Sequence, residues 1–157
     1  MCDTVYTPKQ PFEKNWPKSV VVIESPSANL NSITIALQRI QNAPLNGGEN
    51  ETPRFSLRIS RDPEEILRAE RVIFPGVGHA SYIMNELRQS GLERVLSQVR
   101  SPIMGICLGM QLLFEELSEG REQAGLGLLP GKILPLRPAL DTIGGSRLAV
   151  PHMGWNP

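Results

Sequence analysis

SVVVIESPSANLNSITIALQRI, residues 19–40, decides the fold. Its first part, Ser19 to Glu24, is continuously apolar and β-branched, the signature of a strand buried on both faces rather than on one. Ser25-Pro26-Ser27 is a turn. After it Ile33, Ala36, Leu37 and Ile40 recur at helical spacing, which predicts a helix from about Asn29 to Asn42. The same alternation continues outward. Ala43 to Arg54 has the composition of a loop, and a short strand follows at Phe55 to Ile59. Asp62-Pro63-Glu64-Glu65 is a helix start: Asp caps, Pro suits the first helical position and acids suit the first turn. Arg71 to Phe74 is a second buried strand, running into Pro75-Gly76-Val77-Gly78. Helical spacing returns over Ala80–Leu87 and Leu92–Val99, then a strand over Pro102–Ile106 and a helix from about Leu108 to Leu117. The remainder, rich in Gly and Pro, reads as short strands and turns. Strand and helix in alternation predict an α/β fold with a largely parallel sheet flanked by helices. In such sheets ligands gather beyond the carboxyl ends of the strands, which singles out the loops at Pro75–Gly78 and at Cys107.

Composition narrows the function classes. The 157 residues carry 16 Lys+Arg against 16 Asp+Glu, a net charge of zero, and 5% are aromatic. That balance gives no electrostatic case for nucleic acid or an anionic membrane. No apolar run approaches a membrane span. The first one starts at Val20, which does not fit a secretory signal. Cys2 and Cys107 are too few for a disulfide framework, so a reducing, cytoplasmic setting is expected. Residues 1–18, with Pro8, Pro11 and Pro17, read as a flexible extension, and residues 19–157 as one α/β domain.

Gly105-Ile106-Cys107-Leu108-Gly109 lies between a buried strand and an amphipathic helix and matches the nucleophile-elbow pattern G-x-nucleophile-x-G. Its glycines allow a sharp turn, the helix start favours a thiolate, and the Leu108 N–H is placed for a developing oxyanion. A buried cysteine in a glycine-containing turn is the competing reading. Gly76 and Gly78 bracket Val77, so backbone N–H groups there can face an anion, though strand-end glycines also serve simply as turns. Gln111 and Glu115 follow Cys107 by one and two turns on one face of the expected helix, and Glu119 continues that register. A solvated helix surface would show the same spacing. A cysteine nucleophile normally uses a histidine base held by a third group. His79 and His152 are the only histidines, and neither has a partner acid at a telling spacing.

Together these segments resemble a class I glutamine amidotransferase domain, with its flavodoxin-like core. More narrowly they are similar to the glutaminase subunits of imidazole glycerol phosphate synthases, of histidine biosynthesis. The carriers are Ala28-Asn29-Leu30-Asn31-Ser32, F-P-G-V-G ending at Gly78, P-I-M-G-I-C-L-G-M-Q-L-L-F-E over residues 102–115, and P-H-M-G-W-N over residues 151–156. The resemblance implies that Cys107 attacks the side-chain amide of glutamine, forming a thioester and releasing ammonia. Leu108 and Val77, in a loop with Gly76 and Gly78, would form the oxyanion hole, and Gln111 and Glu119 would recognise glutamine. Ammonia would pass to a (β/α)₈-barrel cyclase subunit, in a heterodimer that makes imidazole glycerol phosphate and an aminoimidazole carboxamide ribotide. Asn29, His152, Met153, Trp155 and Asn156 correspond to positions at or near that partner. No cofactor and no metal are expected.

The resemblance also carries a departure. In this family the base and its orienting acid come as H-x-E near the C-terminus, and residues 1–157 contain no such motif. The resemblance therefore makes residues 19–157 a partial glutamine amidotransferase domain, and a chain lacking that motif and the last strands is expected to be inactive or nearly so, with an unpaired sheet edge and a smaller core. The alternatives are a non-catalytic module docking on the cyclase barrel, and another thiol hydrolase using His79 or His152 as base.

Overall fold

The computed structural model describes residues 17–25, 28–42, 54–119, 121–142 and 150–151. Four strands, β1 (Ser19–Ile23), β2 (Ser56–Ser60), β3 (Arg71–Gly76) and β4 (Ile103–Cys107), form one parallel sheet in the order β2-β1-β3-β4. That order is the doubly wound, flavodoxin-like one, whose switch point lies between β1 and β3. The chain is wound with α1 (Leu30–Asn42), α2 (Pro63–Arg68), α3 (Ala80–Ser90) and α4 (Leu92–Gln98) between successive strands.

The continuous apolar run of β1 serves both faces, as its composition predicts. Val21 and Ile23 join Val72 and Phe74 under Ile66 of α2, Ile83, Met84 and Leu87 of α3 and Leu92 and Leu96 of α4. Val20 and Val22 join Ile73 and Phe55 on the opposite face, where Leu30, Ile33 and Leu37 of α1 pack. Ile23, Phe74, Ile83, Met84 and Leu96 are fully buried, each worth about 2 kcal/mol of transfer free energy.

Local signals place the helix ends. Asp62 Oδ1 accepts from Glu64 N at 2.7 Å and Glu65 N at 3.4 Å, with Pro63 opening α2. Gly91, at φ 75°, closes α3 and opens α4. Of the expected extension, Pro17 and Lys18 lie within the described residues. Lys18 is pinned: its N–H donates to Glu70 Oε2 at 3.0 Å and its carbonyl accepts from Ser56 N at 2.9 Å.

Two expectations fail. The helix predicted over Leu108–Leu117 stops after one turn, as α5 (Leu108–Gln111), and β5 (Phe114–Glu119) follows. Leu108 and Leu112, one turn apart, are buried as a helix face would be, and Leu117 is buried from the strand instead. The chain leaves the helix because distant partners take its backbone groups: Leu126 N donates to Leu112 O, Leu128 N to Leu113 O and Gly127 N to Phe114 O, at 2.8, 2.8 and 3.1 Å. β5 pairs antiparallel with β6 (Arg121–Ala124) and parallel with β7 (Leu129–Ile133), a second small sheet. The other failure is α6 (Leu136–Thr142), in a stretch read as strands and turns. Its Pro138 lies in the first helical turn, where a missing N–H costs no hydrogen bond.

Candidate functional site

The carboxyl end of the sheet collects the residues that could do chemistry. Cys107 is the last residue of β4, and in the β3–β4 ladder it stands opposite Gly76. Neighbouring strands lie about 4.8 Å apart, so Val77 and Gly78 leave β3 directly beside the cysteine. Cys107 has φ 53° and ψ −120°, a positive-φ conformation that L side chains rarely adopt, and its thiol is exposed. It is therefore not the buried turn cysteine of the competing reading. Strain at one residue, stored at the strand end and turning the side chain outward, is the geometry of a nucleophile elbow.

The flanking glycines have a packing reason. A Cβ on Gly109 would sit 1.9 Å from Phe74 O, and one on Gly105 would sit 2.4 Å from Met110 Cα. A Cβ on Gly76 would lie 2.8 Å from Gly109 N. The turn of α5 thus rests backbone to backbone on β3, and this holds Leu108, itself buried, next to the Gly76–Gly78 loop.

A cleft of about 650 Å³ opens on this edge, lined by Gly78, His79, Gln111, Ser118, Ile133, Leu134, Pro135 and Leu136. It unites Gln111 of α5 with the glycine loop and with Ser118 of β5. Glu119 ends β5 next to Ser118. Glu115, expected on the same helix face as Gln111, lies instead in β5, where its carboxylate accepts from Gly131 N at 2.9 Å. The Ile133–Leu136 wall carries no signal in the sequence, because only the β5–β7 pairing brings it to the site.

His79 occupies the cap position of α3, but its side chain makes no capping hydrogen bond; its carbonyl accepts from Tyr82 N and Ile83 N. Among the described residues no histidine or acid is hydrogen-bonded to the Cys107 thiol. Nor do three His, Cys, Asp or Glu side chains converge as a metal site among them. Asn29 lies beyond the carboxyl end of β1, exposed, with Oδ1 accepting from Ser32 N at 3.3 Å at the start of α1. His152, Met153, Trp155 and Asn156 lie outside the described residues, as does Cys2. No helix among the described residues is long and apolar enough to cross a membrane.

Comparison with known proteins adds to this geometry. Residues 50–156 match the family described as glutamine amidotransferase class-I. The imidazole glycerol phosphate synthase subunit HisH of Chromobacterium violaceum is 43% identical over 140 residues, 87% of this chain and 60% of that protein. The subunit of the same name from Xanthomonas oryzae is 43% identical over 137 residues, 87% of this chain and 58% of that one. That from Bacillus licheniformis is 41% identical over 138 residues, 86% of this chain and 58% of the relative. The chain thus spans about three-fifths of the length of the curated relatives it matches.

Proposed function

The chain belongs to the class I glutamine amidotransferase family, and on that premise we propose that it is the glutaminase part of an imidazole glycerol phosphate synthase. In this reading the Cys107 thiolate adds to the side-chain amide carbon of glutamine. The carbonyl oxygen becomes an oxyanion that the Leu108 N–H and the Val77 backbone receive. Collapse of the tetrahedral adduct expels the amide nitrogen as ammonia and leaves a γ-glutamyl thioester, which water cleaves to glutamate. Gln111 and Glu119 recognise glutamine. A cyclase subunit consumes the ammonia, in the cytoplasm, and Asn29, His152, Met153, Trp155 and Asn156 correspond to positions at or near it. The observation that supports this most strongly is the pairing of Cys107 with Gly76, which sets an exposed, strained residue beside the glycine loop whose Gly78 lines the cleft that also holds Gln111.

Ammonia must leave protonated, and residues 1–157 hold no H-x-E to supply the proton. The 157-residue polypeptide assayed by itself is therefore expected to turn over glutamine slowly or not at all, since losing a triad member typically costs several orders of magnitude in rate. Covalent capture tests the site without turnover. A glutamine-analogue chloroketone should label Cys107 and not Cys2, located by peptide mass spectrometry, with glutamine protecting and asparagine not. The Cys107→Ser variant should take up no label, and His79→Ala should still be labelled at Cys107 with glutamine protecting. Equal labelling of both cysteines without protection by glutamine would refute the reading. A label lost with His79→Ala would favour a thiol hydrolase using that histidine. Binding of the cyclase barrel without glutamine-protectable labelling would favour a docking module.

A further inference from the structure

Glu115 has no part in the chemistry above, yet it occupies an irregular point of the second sheet. Along β5 and β7, Phe114 pairs with Leu129 and Glu116 with Lys132. One residue of β5 thus stands against two of β7, Pro130 and Gly131, which is a β-bulge. A bulge of this kind leaves backbone groups out of the ladder. Pro130 has no N–H to lose, and Gly131, at φ 114°, donates its N–H to Glu115 Oε2 at 2.9 Å. On the far side of the bulge an ion pair joins Lys132 to Glu116. Directly after it the chain supplies Ile133, Leu134, Pro135 and Leu136, one wall of the cleft that Gln111, His79 and Ser118 also line.

We propose that Glu115 is a positioning residue: its carboxylate clamps the Pro130–Gly131 bulge and so sets the Ile133–Leu136 wall against the glutamine-binding cleft. The inference rests on the glutaminase reading of that cleft. A bulge beside a binding site redirects the strand that follows it, and here the Glu115 carboxylate rather than water accepts from the displaced N–H, which ties that strand to β5. The acceptor is needed and the negative charge is not. Glutamine at this position retains a carbonyl oxygen for Gly131, whereas alanine leaves the bulge free to relax.

The test titrates labelling of Cys107 with the glutamine-analogue chloroketone and, separately, with iodoacetamide, which does not need the cleft. Glu115→Ala should raise the half-saturating chloroketone concentration about fivefold to tenfold, the effect of one hydrogen bond. Its iodoacetamide rate at Cys107 should stay within about twofold of the parent. Glu115→Gln should restore the half-saturation. An unchanged half-saturation in Glu115→Ala, or an equal rise in both variants, overturns the clamp. Should Glu115→Ala fail to fold, hydrogen exchange at the Gly131 amide of the unmodified chain decides: protection supports the clamp and a solvent-like rate overturns it. Absence of saturable, glutamine-protectable labelling in the unmodified chain would instead refute the glutaminase reading.

Discussion

Gly109→Ala is the sharpest probe of how the elbow is held. The added Cβ would lie 1.9 Å from Phe74 O and 2.8 Å from Phe74 C, both main-chain atoms in the middle of the parallel sheet. Phe74 is fully buried and its strand is paired on both sides, so β3 cannot give way. Bringing the contact back to about 3 Å requires α5 to lift from β3 by roughly 1 Å, which breaks the close packing of that layer. Overpacking of this kind costs about 3 kcal/mol. In a domain of this size that lowers the melting temperature by about 6–12 °C. Gly91→Ala is the control. Gly91 has φ 75°, but a Cβ there would meet nothing within 4 Å, so only backbone strain of about 1 kcal/mol applies. Thermal unfolding of the three proteins, followed by circular dichroism, should rank the parent above Gly91→Ala and Gly91→Ala above Gly109→Ala. Because α5 carries the residue after the nucleophile, Gly109→Ala should also lose glutamine-protectable labelling of Cys107. A Gly109→Ala protein melting as high as Gly91→Ala would mean that the close approach of α5 to β3 is not what holds the elbow.

Other outcomes follow from the same geometry. Cys107→Gly should abolish labelling yet raise stability: relief of a strained φ, worth about 1–3 kcal/mol, outweighs the entropy glycine adds to the unfolded chain, for a net gain of about 1 kcal/mol. A lower melting temperature for that variant would refute the claim of strain at the nucleophile. Lys132 has its pKa raised above 10.5, first by the hydrogen bond from its ammonium to Glu116 and then by that carboxylate's charge. A raised cation pKa means the folded state holds the proton more tightly, so the contribution is complete below pH 10.5 and disappears as pH rises through the folded value. Lys132→Met should therefore melt lower than the parent at pH 8, with the gap closing in alkaline solution and in high salt; a gap independent of both would argue against the ion pair.

How legible all this was in the sequence varies with the range of the interactions involved. The β-branched run of β1 and the Asp62-Pro63 cap are local signals that produced the predicted elements at their predicted places, and the Gly-flanked cysteine stands at a strand-to-helix turn whose helix is shorter than predicted. Their cause lies within a few residues: burial on both sheet faces, a side chain reaching its own helix start, a chain turning sharply. From these signals alone the parallel sheet, the loops at its carboxyl end and the exposed position of Cys107 could be argued. The fate of residues 112–119 could not. Leu108 and Leu112 satisfy helical spacing, but the backbone groups of Leu112, Leu113 and Phe114 bond to Leu126, Leu128 and Gly127. A pairing with residues a dozen positions away overrides a local periodicity and leaves no mark in it. The same pairing supplies the Ile133–Leu136 wall and turns Glu115 from a helix-face residue into the acceptor for Gly131. The sequence by itself determined the order of the main sheet's elements and the residue that carries the thiol. The tertiary structure alone decided what surrounds that thiol, because the surroundings arise from register between strands, and register is a property of the pair.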